Sequence, residues 1–202
     1  FKRQCGAKIA MGKNITEVQQ HFATSLELDI PTDGSQYCHL FKDGETFPLG
    51  QFTVTVLATP GHTSDSVCYV VDGNVFVGDT VFMPDSGTAR CDFPGGDASE
   101  LYHSISRIFD LGDEITLYMC HDYQPQGREL YWKSTVGEQK KYNVHLKNNT
   151  SQHDFVNIRT QRDATLTVPK LLYPAIQINI NAGAIVSNQQ RNFIKVPLSL
   201  PT

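Results

Sequence analysis

The sequence predicts an α/β fold, because strand-like segments alternate with segments that have the spacing of amphipathic helices. The side chains of residues 52–58 point alternately to two faces, and one of these faces carries two threonines. This pattern is typical of a half-buried strand. The dipeptide Asp72-Gly73 separates two short β-rich runs, 67–71 and 75–77, and such a dipeptide indicates a tight hairpin. Residues 98–111 carry apolar side chains at helical spacing, and Asp97 precedes them as a helix cap.

The remaining elements follow from the same two patterns. A helix is expected from Ile15, with Asn14 and Glu17 forming a capping box. Residues 31–50, rich in Pro, Asp and Gly, are expected to form a loop. The other predicted segments are a strand at 115–120, helices over roughly 129–146 and 152–166, and β-rich apolar runs at 175–180 and 193–196.

Composition restricts the class of protein. The chain has 202 residues, of which 40% are hydrophobic, so it can build a substantial core. Its 17 Lys and Arg against 21 Asp and Glu exclude a strongly basic nucleic-acid binder. No apolar run approaches the roughly 18 residues of a membrane span, and the start has no signal-peptide pattern. The chain also lacks an initial Met, so we expect it to be a piece of a longer protein.

The five cysteines are dispersed and never approach a CxxC spacing, which argues against disulfides and a thiolate zinc site. Reduced thiols are typical of a cytoplasmic protein, and this is the location that we predict.

Three polar residues follow three predicted strands: His62, Asp79 and His121. Strand ends in α/β proteins converge, so these side chains are expected to meet although they are distant in sequence. Two imidazoles and a carboxylate suit zinc and are also the donors of a non-haem iron(II) site. The alternative for each is a surface histidine or a turn aspartate.

These residues lie in recognisable motifs. The stretches Thr59-Pro60-Gly61-His62-Thr63, Gly78-Asp79-Thr80-Val81-Phe82 and Cys120-His121-Asp122-Tyr123 resemble the later metal motifs of the metallo-β-lactamase superfamily. Within it, Arg90-Cys91-Asp92-Phe93 resembles a segment of the persulfide dioxygenases. Arg162-Asp163, Pro169 and Pro174-Ala175-Ile176-Gln177 resemble the tail of bacterial β-lactamase-hydrolase-like proteins.

The resemblance implies a metallo-β-lactamase-like αββα sandwich that lacks its N-terminal part. We expect one domain over 1–202, in which roughly 150–202 form a C-terminal extension. The superfamily's first metal motif, His-x-His-x-Asp-His, is absent from this chain, and its natural position lies shortly before Phe1.

The resemblance also implies a function, the oxidation of glutathione persulfide or a related persulfide by O₂ to sulfite at one Fe(II) ion per chain. His62, Asp79 and His121 are the predicted metal residues, although His121 serves a second metal in dinuclear relatives. Arg90 is the predicted clamp for a substrate carboxylate. Asp92, which holds Arg90 or orients a ligand, and Tyr123, which donates to the substrate sulfur, are the predicted catalytic residues.

Two alternatives stay open from the sequence. One is a two-zinc hydrolase of thioester or lactone type, in which Asp79 bridges the ions and His121 completes the second site. The other is a non-catalytic, metal-poor domain. The expected partners are a small thiol or persulfide and O₂, without nucleic acid or membrane, and the sequence leaves a homodimer open.

Overall fold

The computed structural model describes residues 2–147, 149–188 and 191–197. The chain divides into two units, a larger one over 42–165 and a smaller one made of the segments on either side of it. Each unit has its own apolar core. The alternation of strands and helices confirms the predicted α/β class.

The elements are numbered in chain order. The helices are α1 (Lys2–Cys5), α2 (Ile15–Ser25), α3 (Ala98–Phe109), α4 (Val136–Tyr142), α5 (Gln152–Asp163) and α6 (Leu172–Asn179), with a 3-10 turn at Pro125–Gly127. The strands are β1 (Ala10–Gly12), β2 (His39–Phe41), β3 (Thr46–Leu49), β4 (Phe52–Ala58), β5 (Val67–Val71), β6 (Asn74–Phe76), β7 (Thr116–Tyr118), β8 (Lys133–Thr135), β9 (Ser187–Asn188) and β10 (Arg191–Asn192). None of the helices in the described part of the chain has the length and apolar content that a bilayer crossing requires.

The larger unit is organised around a six-stranded sheet with the order β3-β4-β5-β6-β7-β8. Its neighbouring strands are antiparallel except for β6 and β7, which run in parallel. Parallel neighbours need a crossover connection, and here the long segment that contains α3 supplies it. The carboxyl ends of β6 and β7 therefore lie side by side.

Two local sequence patterns in this unit form the hairpin and the helix cap that they predict. Asp72 and Gly73 join β5 to β6 with φ values of 46° and 74°, the left-handed pair that a type I′ hairpin requires. The Asp97 side chain accepts a hydrogen bond from the Glu100 backbone N–H at 2.9 Å, which caps α3. The buried face of α3 includes Leu101. Both elements are thus positioned by interactions within a few residues.

The smaller unit pairs β1 with β2 in parallel and packs α2 on an apolar cluster that includes Ile180, Tyr173 and Ile176. The fully buried Gln19 donates to the Ile180 carbonyl at 2.8 Å and accepts from the Gly34 N–H at 3.0 Å. These bonds join three segments of the unit through one side chain.

The prediction for residues 175–180 is wrong, because 175–179 lie in α6 and Ile180 is the C-cap of that helix, so none of them is in a strand. A short apolar run does not separate a strand from a buried helix. The helical spacing places Ile176 and Ile180 in the same core cluster. Residues 193–196 are also not a strand, since the structure gives them no regular element.

Three further expectations need correction. The helix expected over 129–146 is only α4, because residues 133–135 pair with β7 as β8 and Thr135 then caps α4 in a capping box with Glu138. Asn14 makes no side-chain cap bond to α2. The loop expected over 31–50 contains β2, which pairs with the distant β1, and β3, which forms a tight antiparallel hairpin with the adjacent β4.

Candidate metal centre

The register of the parallel pair brings Asp79 and His121 together. Phe76 of β6 is paired with Tyr118 of β7, and Asp79 and His121 each lie three residues further along. Neighbouring strands are about 4.8 Å apart, so equivalent positions just past their ends are within reach of each other. Asp79 Oδ1 lies 3.3 Å from His121 Nε2. Two of the three residues predicted to converge are therefore in contact.

Cys120 is a third member of this group. Its Sγ lies 3.1 Å from Asp79 Oδ1 and 2.9 Å from the Gly78 carbonyl oxygen. Candidate ligand atoms of Asp79, Cys120 and His121 all lie within 4.8 Å of one another. Partial burial of the thiol, followed by its hydrogen bond to Asp79, raises the pKa of Cys120 to about 12.

The donor chemistry of this group fits a metal ion. A carboxylate, an imidazole and a thiolate are all ligands of zinc, and two bonds of about 2.0 Å at the tetrahedral angle separate ligand atoms by about 3.3 Å. The distance between Asp79 Oδ1 and His121 Nε2 has this value. The Asp79 and His121 side chains are 39% and 55% exposed, so an ion at this point is open to a small molecule.

His62 is not a member of this group of three. Its Nδ1 lies 2.8 Å from the Arg90 carbonyl oxygen, and its ring packs 5.4 Å from that of Phe93. A carbonyl only accepts, so Nδ1 carries the proton and Nε2 is the nitrogen with a lone pair. Metal-binding histidines commonly donate their other ring N–H to a backbone carbonyl in this way. That His62 is a ligand stays a prediction.

Arg90 and Asp92 form a two-point ion pair. Arg90 donates from Nε to Asp92 Oδ1 at 2.6 Å and from Nη2 to Oδ2 at 2.5 Å. The guanidinium also lies 4.8 Å over the Phe93 ring. The hydrogen bond to Arg90 lowers the pKa of Asp92. Asp92 thus holds the Arg90 guanidinium in a fixed orientation. That Arg90 binds a substrate carboxylate stays a prediction.

Tyr123 packs at the open side of the site. It is largely exposed, with its ring 5.3 Å from that of Phe82 and 6.1 Å from that of His121. Partial burial, followed by the charge of Asp79, raises the pKa of Tyr123. The phenol is therefore protonated at neutral pH and can donate a hydrogen bond.

Asp122 organises the loop that follows His121, a role that its sequence motif does not indicate. Its carboxylate accepts from Arg128 Nη1 and Nη2, both at 2.7 Å, and from the Tyr131 N–H at 2.8 Å. The hydrogen bonds from Arg128 lower the pKa of Asp122 to about 2. Arg128 also binds Asp85, so it links this loop to the segment after Asp79. The sequence signal, a lone arginine six residues after an aspartate, was too weak to find this pair.

A buried ion pair in α5 holds the loop that carries Arg90. Arg159 and Asp163 are 1% and 7% exposed and lie 2.5 Å apart. Arg159 donates to the Thr88 carbonyl at 3.1 Å, and Asp163 accepts from the Cys91 N–H at 2.8 Å. Two backbone groups that flank Arg90 are thereby fixed from α5.

The family model described as the metallo-beta-lactamase superfamily matches residues 1–121, more than half of the chain. The chain belongs to this superfamily. A protein of Dictyostelium discoideum called glyoxylase B2 is 46% identical over 96% of this chain and 68% of its own length. The beta-lactamase hydrolase-like protein of Xylella fastidiosa is 46% identical over 98% of this chain, which spans only 47% of that protein.

The persulfide dioxygenase ETHE1 of Homo sapiens is a more distant relative, 31% identical over 74% of this chain and 56% of its own length. The crystal structure of ETHE1 from Myxococcus xanthus superposes with a TM-score of 0.70 at 29% identity, over 91% of this chain and 69% of that one. The predicted family and metallo-β-lactamase-like fold are therefore confirmed. The superfamily binds zinc or iron, which agrees with the donors at Asp79 and His121.

Proposed function

We propose that the site at Asp79 and His121 belongs to a metal-dependent hydrolase that cleaves a glutathione thioester. The observation that carries this proposal is the 3.3 Å contact between a carboxylate and an imidazole at the ends of two parallel strands. Two relatives at 46% identity bear the names glyoxylase and hydrolase-like protein, which supports hydrolysis over oxidation. This reverses the order of preference that the sequence motifs gave.

The bound ion would be held by Asp79 and His121, and when bound it polarises a carbonyl and supplies an activated water. The chain's own residues have three tasks around it. Arg90 binds the anionic end of the substrate, and its pairing with Asp92 fixes the plane of the guanidinium. The Arg90 carbonyl holds the His62 ring through Nδ1. Tyr123, exposed beside His121, offers a hydroxyl to the leaving sulfur.

The test is thioester hydrolysis by the purified protein after loading with zinc. An S-acylglutathione is the substrate, and release of free thiol is followed over time. We expect turnover in the wild type and loss of both turnover and bound zinc in Asp79→Asn. Asp29→Asn, an exposed carboxylate in the smaller unit, is the matched control and should keep both. Full hydrolysis by Asp79→Asn would refute the proposal.

A persulfide dioxygenase is the second candidate. It is favoured by the Arg90-Cys91-Asp92-Phe93 segment, by the 31% identical human relative and by the fold similarity to the Myxococcus protein. Oxygen uptake by the iron-loaded protein with glutathione persulfide distinguishes the two. Uptake without thioester hydrolysis would replace the first proposal with this one, and neither activity in a metal-loaded protein would favour a non-catalytic domain.

A further inference from the structure

We propose that Cys120 is a ligand of the metal ion, so that Asp79, Cys120 and His121 hold it through oxygen, sulfur and nitrogen. This inference rests on the metal centre of the proposed function but not on its substrate. It adds to the site a residue for which the sequence predicts only a place at the end of a strand.

The distances between the three ligand atoms suit a single shared ion. Cys120 Sγ lies 3.1 Å from Asp79 Oδ1, and Asp79 Oδ1 lies 3.3 Å from His121 Nε2. All three ligand atoms are within 4.8 Å of one another. Tetrahedral zinc with bonds of about 2.0 Å to oxygen and nitrogen and about 2.3 Å to sulfur separates its ligands by about 3.3–3.5 Å. One ion can therefore contact all three atoms after small side-chain movements.

The Cys120 thiol also has fewer protons than nearby acceptors. Cys120 Sγ lies within reach of two acceptors, the Gly78 carbonyl oxygen at 2.9 Å and Asp79 Oδ1 at 3.1 Å. A thiol has one proton, so it can make a full linear hydrogen bond to only one of them at a time. A metal ion bound to the sulfur and the Asp79 carboxylate would take the place of the proton that the two groups share.

The other four thiols do not share this setting. Cys68 and Cys91 are buried, and Cys5 and Cys38 are exposed in the smaller unit. Of the five, only Cys120 belongs to a group of possible metal ligands among the described residues. A thiolate at this position also bears on the choice of ion, because soft sulfur ligands suit zinc whereas carboxylate and imidazole suit zinc and iron alike.

A competing role for Cys120 is to orient Asp79 by donating a hydrogen bond, without binding the ion. Serine can still donate that bond, but its hydroxyl is a much weaker ligand than a thiolate. Alanine can do neither. Cys120→Ser and Cys120→Ala therefore separate the two roles, and Cys38→Ser is a control that removes one exposed thiol elsewhere.

The experiment is X-ray absorption spectroscopy at the zinc edge on purified protein loaded with one equivalent of zinc. We expect a sulfur scatterer at about 2.3 Å in the wild type and in Cys38→Ser, and only lighter scatterers at about 2.0–2.2 Å in Cys120→Ser. Zinc affinity should fall in both Cys120 variants by more than the roughly 10–100-fold typical of residues that only orient a ligand.

Two results would overturn the inference: a wild-type spectrum with nitrogen and oxygen alone, or a sulfur signal that persists in Cys120→Ser. Affinity that is kept in Cys120→Ser and lost in Cys120→Ala would assign Cys120 the orienting role instead. Thioester hydrolysis is measured on the same samples. A sulfur-ligated ion without hydrolysis would refute the proposed function and leave this inference standing. Hydrolysis with no sulfur bound to the ion would refute this inference and leave the proposed function standing.

Discussion

Lowering the pH from 7 to 5 should destabilise the larger unit through one buried imidazole. His145 is 6% exposed, and its Nδ1 accepts a hydrogen bond from the Thr88 N–H at 3.0 Å. Burial, followed by the charges of Arg159 and Arg162, lowers the pKa of His145 from an ordinary 6.5 to about 4. Asp163 acts in the opposite direction but does not outweigh these effects. The folded protein therefore keeps this ring neutral.

The direction in which stability changes with pH depends on which state of the chain binds the proton. Between about pH 4 and 6.5 the unfolded chain binds a proton at His145 that the folded chain excludes, so stability rises with pH across this window and is lost as the pH falls. With these two pKa values, the free energy of unfolding at pH 5 is about 2 kcal/mol lower than at pH 7.

The assay is urea denaturation of the metal-free protein at both pH values, so that ligand histidines do not contribute through metal binding. His145→Asn keeps an acceptor near the position of Nδ1 but cannot be protonated. It should remove most of the drop, whereas the exposed control His153→Asn should keep it. If wild type and His145→Asn lose the same free energy of unfolding between pH 7 and 5, His145 is not the group responsible.

Three further predictions concern stability in urea. Asp163→Ala leaves the buried Arg159 without its counter-charge and should lower the free energy of unfolding by about 3–5 kcal/mol. The double variant with Arg159→Met should lose less, because no unpaired charge stays buried. Gly87→Ala places a Cβ against a neighbouring imidazole, at a residue whose φ is +86°. Gly44 has a similar φ but open space around it, so Gly44→Ala should lower the free energy of unfolding by only about 1 kcal/mol. Gly87→Ala should lower it by clearly more. Asp97→Ala removes the cap of α3 and should cost about 1 kcal/mol without changing the bound zinc, and loss of zinc there would contradict the assignment of the site.

The elements that the sequence predicts well are those with local causes. The hairpin at Asp72-Gly73 depends on two residues that tolerate positive φ, and both adopt it. The start of α3 depends on Asp97 and a backbone N–H three residues later. Such features depend on residues within a few positions of one another, so the sequence alone predicts them.

The elements that the sequence misses depend on distant partners. Residues 175–180 are too few for their period to separate strand from helix, and their helical form is settled by packing against the α2 core. β8 exists because Ser134 pairs with Leu117 of β7, more than ten residues away. In the site, the contact between Asp79 and His121 follows from the ends of two strands, which the sequence predicts. The contact between Cys120 and Asp79 depends on the path of the backbone after β7, which the sequence does not predict.

The matched register of β6 and β7 has a consequence for how this site can vary. Asp79 and His121 are separated by 42 positions in the chain, yet each stands three places beyond a paired residue. Insertions or deletions within the connecting crossover leave that count unchanged and should be tolerated at the metal centre. A single residue added between Phe76 and Asp79 would shift one donor relative to the other and separate them.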